Sequence, residues 1–331
     1  MKILLVRLDG IGDALACTPL VAALRDAGHQ LGVALSQRNA AIFARDTFAW
    51  THVLERRPWP AHGHAHRDVA ATTLAAASIG YDVALVASEE PDAYALAQRC
   101  ASERVGFING WEKPLKSVLV RRRLTRAIVR PAALERTAAH EVETLFGLGA
   151  GLHHEREPTR DIARLRPLVV DGNVTGDERP APLAVQLSAK WTAMHVERAQ
   201  LGAWIRALRA RAPVRLLASG QEAGEIGAVR EFLGDVAESI DATVFDGDEG
   251  MRAWKRAIAG AGALVTPDTG AAHVAGMSGT PCVDLFPDER NARVQMRRWS
   301  PWASPSALLV ASRDAPVVSA ARELWNANAH S

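Results

Sequence analysis

An α/β fold of two doubly wound parallel sheets is predicted by three features of the sequence. Apolar runs of strand length alternate with helical segments along the whole chain. Two of those runs end in glycine-bearing turns that open helices, "RLDGIGDALACTP" and "TPDTGAAHVAG". A polar stretch with prolines and glycines, His153 to Pro182, divides the rhythm into two halves. The length of 331 residues suits two domains at roughly 150 residues each.

In chain order, Ile3 to Leu8 is an apolar run expected as a parallel strand covered on both faces. Ala14 to Ala27 follows with Leu15, Leu20, Val21 and Leu24 at helical spacing. Between them lies "DGIGD", where Gly10 and Gly12 permit positive φ and close approach of the backbone. A dinucleotide fingerprint fails here on two counts. Leu15 fills the third small position, and "LGVALSQRNA" ends without the acidic residue a ribose needs. What remains is Asp13 in the first turn of a helix, either a cap or a carboxylate set out for chemistry. The pattern continues through "LGVALS", "RNAAIFARDTFAW", the loop "RRPWPAHGHAHRD", the helix "VAATTLAAASIG", the strand "YDVALVAS" and the helix "PDAYALAQRCA".

The second half restarts with the strand "APLAVQLS" and the helix "ERAQLGAWIRALRARA". There follow the strand "VRLLAS", the helix "EIGAVREFLG", a short strand at Ala242 to Phe245 and the helix "MRAWKRAIAGA". The strand "ALVTP", the helix "AAHVAGMSG", the strand "PCVDLF" and the tail helix "APVVSAARELWNANAH" complete it. The predicted boundaries are 1–160, a linker at 161–182, 183–310, and a terminal helix at 311–331 with room to return to the first domain. Right-handed crossovers place ligands outside the carboxyl ends of both sheets.

A formal charge of +2 gives no argument for a nucleic-acid partner. Arginine dominates the basic residues; Lys2, Lys113, Lys116, Lys190 and Lys255 are the five lysines, so a lysine inside a motif carries weight. Cys17, Cys100 and Cys282 are too scattered for a zinc or redox pattern, and apolar surroundings mark Cys17 and Cys282 as buried. Asp9 and Asp13 interrupt the first apolar run as a signal peptide would not. No stretch reaches about 18 uninterrupted apolar residues, so a cytoplasmic protein is expected.

The most informative stretch is "ALVTPDTGAAHVAGMSGTPCVDLF". A strand ends at Pro267, Asp268-Thr269-Gly270 makes the turn, and a helix of small residues begins near Ala271. Such a helix presses close to a neighbour and leaves its first N–H groups and positive dipole end for a diphosphate. Thr269 adds a hydroxyl and His273 a further donor. The structural alternative makes Asp268 the helix cap and His273 a core histidine.

Taken together, "LLVRLDGIGDALACTPLVAALR" and "VTPDTGAAHVAGMSGTPCVDLF" resemble family 9 glycosyltransferases, the bacterial ADP-heptose:lipopolysaccharide heptosyltransferases. The pieces "RVGF", "HEVETLFGLG", "SAKWTAMHVERAQLGAWIRAL", "FDGDEGMRAWKRAIAGAGALVTPDTG" and "RRWSPWASPSALLV" extend the likeness over nearly the whole chain. The resemblance implies a GT-B fold, two Rossmann-like domains with parallel sheets facing a central cleft. The first domain takes the acceptor and the second the nucleotide-sugar, ADP-heptose or a relative, as substrate with no cofactor or metal. It implies an inverting transfer to an anionic glycan or glycolipid such as the lipopolysaccharide inner core. Asp13 corresponds to the general base, with Gly10 and Gly12 making room for the sugar. Asp268, Thr269 and Gly270 correspond to the donor turn, with Ser188, Lys190 and His273 near the phosphates and Glu222 near the nucleoside.

Two departures stand out. Met194-His195-Val196 occupies the place of the family's Lys-Arg-Trp, leaving Lys190 with His195 to supply charge, and Pro287 replaces a glycine. "KPLKSVLVRRRLTRAIVRPAALER" is a basic amphipathic segment, either a solvated face or a surface for phosphates. The second reading sets Lys113, Lys116, Arg121, Arg122 and Arg123 toward an anionic acceptor or the inner membrane surface. Trp59 and Trp111 are candidates for sugar stacking or membrane-edge contact. "DGD" at 246–248 is expected as a plain acidic turn, and His62, His64 and His66 as a solvated loop without the rest of a zinc site. Two other functions stay open at this point: a sugar-nucleotide epimerase of the same fold, and a non-catalytic sugar-nucleotide-binding relative.

Overall fold

The computed structural model describes residues 1–54, 65–130, 139–172 and 180–329, without the side chains of 65–70, Trp111 and Ala329. The chain divides into two compact units, Met1–Arg160 and Asp161–Ser331.

The first unit contains strands β1 (Lys2–Arg7), β2 (Gln30–Ser36), β3 (Trp50–Leu54), β4 (Tyr81–Val86), β5 (Ala101–Ile108) and β6 (Arg126–Val129). They form one parallel sheet in the order β3-β2-β1-β4-β5-β6. Its helices are α1 (Ile11–Leu15), α2 (Thr18–Asp26), α3 (Ala65–Ile79), α4 (Pro91–Cys100), α5 (Pro114–Arg121) and α6 (Glu141–Phe146). Leu4, Val6, Ala84 and Val86 from the central strands pack with Tyr94 and Leu96 of α4 in a core closed to water. Burying each such leucine or valine is worth about 1.5–3 kcal/mol.

In the second unit the strands are β7 (Leu183–Gln186), β8 (Val214–Ser219), β9 (Asp241–Phe245), β10 (Ala263–Pro267), β11 (Cys282–Phe286) and β12 (Ser306–Val310). The sheet is again parallel, ordered β12-β11-β10-β7-β8-β9. Around it lie α7 (Ile162–Val169), α8 (Lys190–Ala193), α9 (Arg198–Arg209), α10 (Ala223–Arg230), α11 (Gly247–Ala259), α12 (Gly270–Ser278), α13 (Ala292–Trp299) and α14 (Val317–Ala329). Both sheets reverse their winding between the first and fourth strands, at β1/β4 and β7/β10. Crevices at such switch points are where doubly wound sheets bind ligands.

Several local expectations change. The helix read as continuous from Ala14 to Ala27 is two helices, because Pro19 sits in the first turn of α2 and the Thr18 hydroxyl bonds the Leu15 carbonyl at 2.7 Å. Residues 162–169, expected in a linker, form α7, which packs on α12. The terminal helix α14 lies on β10, β11 and α9, where the Trp325 indole donates to the Ala181 carbonyl at 2.7 Å. All three cysteines are free and buried, and burial pushes the Cys17 thiol up to about 12.

One buried cation has a measurable consequence. Lys255 on α11 is 0% exposed and donates to the Val169 carbonyl at 2.6 Å, with Asp171 Oδ2 at 4.0 Å. Burial lowers its pKa to about 7, with Arg252 and Arg256 adding to the effect and Asp171 opposing it. Between pH 7 and the ordinary lysine value the unfolded chain holds a proton that the folded chain has lost. Stability contributed by this site is therefore least at and below pH 7 and rises through that window. Its slope approaches about 1.4 kcal/mol per pH unit. Chemical denaturation from pH 7 to about 8.5, below the range where the buried thiols would titrate in the unfolded chain, should show a slope steeper in the native protein than in Lys255→Met by about that amount.

Candidate active site

In the first unit, the turn "LDGIGD" leaves the carboxyl end of β1 at the switch point. Asn39 braces it from the β2 side: its amide donates to the carbonyls of Arg7 at 3.3 Å and Asp9 at 3.0 Å. From the other side, the buried Arg7 guanidinium donates to the Ala87 carbonyl beyond β4 and to Asp13 Oδ1 at 2.6 Å. The second Asp13 oxygen accepts from the Gly10 N–H at 3.1 Å. A carboxylate offers about four lone-pair sites, so these two bonds fix the group and leave capacity for a hydroxyl.

Neither Gly10 nor Gly12 uses the positive φ that glycine permits. Gly10 has φ −72° and ψ 176°, ordinary extended backbone, and Gly12 lies within α1 without positive φ. What Gly10 supplies is space: a Cβ there would stand 3.0 Å from Asp13 Oδ2.

Arg7 also begins an ionic chain along the carboxyl ends of the strands. Its Nε is 3.5 Å from Asp9, and its Nη2 is 3.9 Å from Glu141 at the start of α6. Glu141 is buried and pairs with Arg130 at the end of β6, whose Nη1 meets Glu89 Oε1 at 3.1 Å. Lys116 donates to Glu89 Oε2 at 3.0 Å and Lys113 stands 3.8 Å away. Burial alone would raise the Glu89 pKa. The Lys116 hydrogen bond and the Arg130 charge outweigh it and hold the carboxyl below its ordinary value. Of the residues expected on the acceptor side, Lys116 thus turns inward. Arg123 binds the Pro91 carbonyl at 3.3 Å and Arg121 the Leu124 carbonyl at 3.4 Å, while Arg121 and Arg122 are exposed.

At the switch point of the second unit, Lys190 opens α8 just beyond β7, and its ammonium donates across to the Asp268 carbonyl beyond β10. The Ser188 hydroxyl accepts from the Lys190 N–H at 3.2 Å. Glu222, beyond β8, accepts from the Ala189 N–H at 3.2 Å and from the Ser219 hydroxyl at 3.1 Å, bracing the same loop. Helix α12 begins at Gly270 and its cap is Thr269, not Asp268: the Thr269 hydroxyl accepts from the Ala271 N–H at 3.3 Å. A Cβ on Gly276 would come 2.6 Å from the Trp302 nitrogen, the close approach that the small residues of α12 permit. His273 is buried edge-on to Trp299, ring centroids 5.7 Å apart. Ser188, Lys190, Asp268, Thr269 and Gly270 are therefore assembled at one crevice, with Glu222 behind their loop.

Met194, in the place of the family's lysine, is buried in the core beside Trp191 and Val196, whereas His195 is exposed with φ 62°. Lys190 is thus the lysine of this motif that reaches the crevice. Asp246 caps α11, its Oδ1 accepting from the Gly247 N–H at 2.9 Å, which accounts for "DGD" as a turn. The side chains of Trp59, Trp111, His62, His64 and His66 lie outside the described residues. Among the described residues there is no cluster of three metal-ligating side chains.

Arg7, Glu141, Arg130, Glu89 and Asp284 were missed by sequence reasoning. Asp284, on β11 in register with Thr266, is fully buried, and neither oxygen has a hydrogen-bond partner among the described residues. Burial and the nearby Asp268 raise its pKa well above the carboxylate range against the pull of Lys190. An arginine ending an apolar strand and an aspartate inside another were the visible signals, since buried charge demands partners or neutralisation.

The sequence matches no family model and no curated protein. Solved structures do match. Escherichia coli heptosyltransferase WaaC with ADP has a TM-score of 0.73 at 16% identity, over 99% of this chain and 100% of that one. E. coli ADP-heptose lipopolysaccharide heptosyltransferase II gives 0.70 at 14%, over 100% and 99%. A family 9 glycosyltransferase from Veillonella parvula gives 0.70 at 13%, over 98% and 97%. The fold is accordingly a two-domain GT-B fold of the family 9 heptosyltransferase type.

Proposed function

We propose that this chain is an inverting glycosyltransferase, moving a heptose or related sugar from an ADP-linked donor to a hydroxyl of an anionic glycan or glycolipid such as the lipopolysaccharide inner core. The observation that carries the reading is that each unit has its own switch point and the two are unlike. One holds a braced carboxylate, Asp13. The other holds an ammonium, Lys190, beside the N-terminus of a helix of small residues. Inverting transfer needs a base for the acceptor hydroxyl and positive charge for the departing diphosphate.

In this reading Asp13 accepts the hydroxyl proton, while Arg7 and the Gly10 N–H keep the carboxylate aimed. The acceptor hydroxyl attacks the anomeric carbon, and the bond to the diphosphate breaks with its electron pair going to the phosphate oxygen. Lys190, the Thr269 hydroxyl and the first N–H groups of α12 receive that charge, so the scheme uses no metal and no cofactor. Ser188 and Glu222 hold the donor loop, and exposed cations of the first unit face an anionic acceptor. The three free cysteines suit a reducing, cytoplasmic setting. The likeness to WaaC, solved with ADP, supports the choice of donor.

The test is transfer by the full chain from ADP-heptose, against other nucleotide-sugars, to a heptose-deficient core glycan, with Asp13→Asn alongside. Product formed by the native protein and not by the variant supports the reading. Product from neither protein with any donor overturns it.

A further inference from the structure

Four of the nine exposed large apolar side chains among the described residues fall on α5 and β6, and the other five are dispersed along the chain. Leu115 is 82% exposed, Val118 56% and Leu119 63%, at the i, i+3, i+4 positions of α5. Val129, 63% exposed on the edge strand β6, continues the patch beside Gly110 at the entrance to α5. The opposite side of α5 is anchored: Ser117, Val120 and the following Leu124 are buried, and the Ser117 hydroxyl bonds the Gly110 carbonyl at 3.1 Å. A helix fixed on one side and presenting leucines to water on the other has a partner for them.

Charge identifies that partner. Lys113, Arg121, Arg122 and Arg126 are exposed around the patch, against one exposed acid in the same stretch, Glu112. Lys116 and Arg123 are the less exposed of the cations and turn to Glu89 and the Pro91 carbonyl. The exposed set keeps donors for phosphates beyond its single contacts to Glu89, the Leu124 carbonyl and the Ala150 carbonyl. Apolar side chains in the centre and guanidinium and ammonium groups around them match the boundary between headgroups and acyl chains of an anionic leaflet.

We infer that α5 and the adjoining edge of β6 dock this protein on an anionic phospholipid surface. Leu115, Val118 and Leu119 enter the headgroup region, and Lys113, Arg121, Arg122 and Arg126 lie over the lipid phosphates. Helix α5 follows the carboxyl end of β5, and Asp13 follows the carboxyl end of β1 in the same parallel sheet, so docking brings a lipid-borne substrate to that end of the unit. Membrane contact is independent of the transfer reaction and is read without donor or acceptor, so either assignment can fail alone.

Flotation of the full chain with phosphatidylcholine vesicles, with and without about 30 mol% phosphatidylglycerol, at about 0.1 M salt tests this. Binding should be at least about tenfold tighter to the anionic vesicles and weaken as salt rises. Leu115→Ser/Leu119→Ser should lower it by about tenfold or more, with unchanged melting because both side chains are exposed. Arg121→Gln/Arg122→Gln should lower it by about 25-fold and flatten the salt dependence. Equal binding to both vesicles, binding to neither, or variants that bind as the native chain does would overturn the inference. So would a lipid-free dimer in sedimentation equilibrium that the leucine substitutions dissolve, which would assign the face to a second copy.

Discussion

Asp13→Asn should lower turnover by about 10²–10⁴-fold, the usual worth of a positioned base, while leaving nucleotide affinity unchanged. The substitution is nearly isosteric, but it converts one acceptor oxygen into an NH2 donor. Its neighbours are the Arg7 guanidinium on one oxygen and the Gly10 N–H on the other, both donors. An amide satisfies only one of them, so the group also loses its fixed aim. Single-turnover kinetics at saturating substrate reads the chemical step apart from binding, and both losses fall on that step. Native-like single-turnover rates in the variant would remove Asp13 from the mechanism.

Arg7→Met should strongly destabilise the first unit. It leaves the buried Glu141 without one of its two arginines and removes the bridge between Asp13 and the Ala87 carbonyl. Fully unpairing a buried charge costs about 3–5 kcal/mol, and the Arg130 that remains on Glu141 keeps the loss at the lower end of that range. For a unit of this size that corresponds to a melting shift of roughly 10 °C. Arg7→Lys is no substitute, since one ammonium cannot serve Ala87, Asp13 and Glu141 at once. Adding Glu141→Gln to Arg7→Met should recover part of the loss, because the stranded charge is then gone. A double variant no more stable than the single one would show that the cluster carries no net coupling.

Much of the frame is legible in the primary structure because period and punctuation are local. The central strands β1, β4, β7, β10 and β11 are near-continuous apolar runs, and the two glycine-bearing turns mark the switch points. Strands β3, β5, β6 and β12 escape the reading. Trp50–Leu54 lies at a sheet edge with polar residues between apolar ones, Arg126–Val129 is a four-residue edge strand opened by an arginine, and Ser306–Val310 follows two prolines. "KPLKSVLVRRRLTRAIVR" reads as one amphipathic segment, yet it holds α5 and an edge strand, with Leu124 buried between them.

The candidate site divides the same way. Asp13, Lys190 and Asp268 to Gly270 stand in turns whose sequence is distinctive. The Arg7–Glu141–Arg130–Glu89 chain joins residues far apart in sequence, and ion pairs leave no periodic trace. The role of Gly10 was visible only as a choice between backbone freedom and space, and the Asp13 carboxylate beside it decides for space. Met194 illustrates a further limit: its burial depends on Trp191 and Val196 folding over the same core, which a motif comparison does not register.

The central claim is a division of labour, with diphosphate recognition in the second unit and proton acceptance in the first. Calorimetric titration of ADP into three proteins tests it most directly. The native chain should bind. Lys190→Met should bind about 10–100-fold more weakly, the worth of a hydrogen bond to a charged group. Asp13→Asn should bind as the native chain does. Native affinity in Lys190→Met, or lost affinity in Asp13→Asn, would contradict the account.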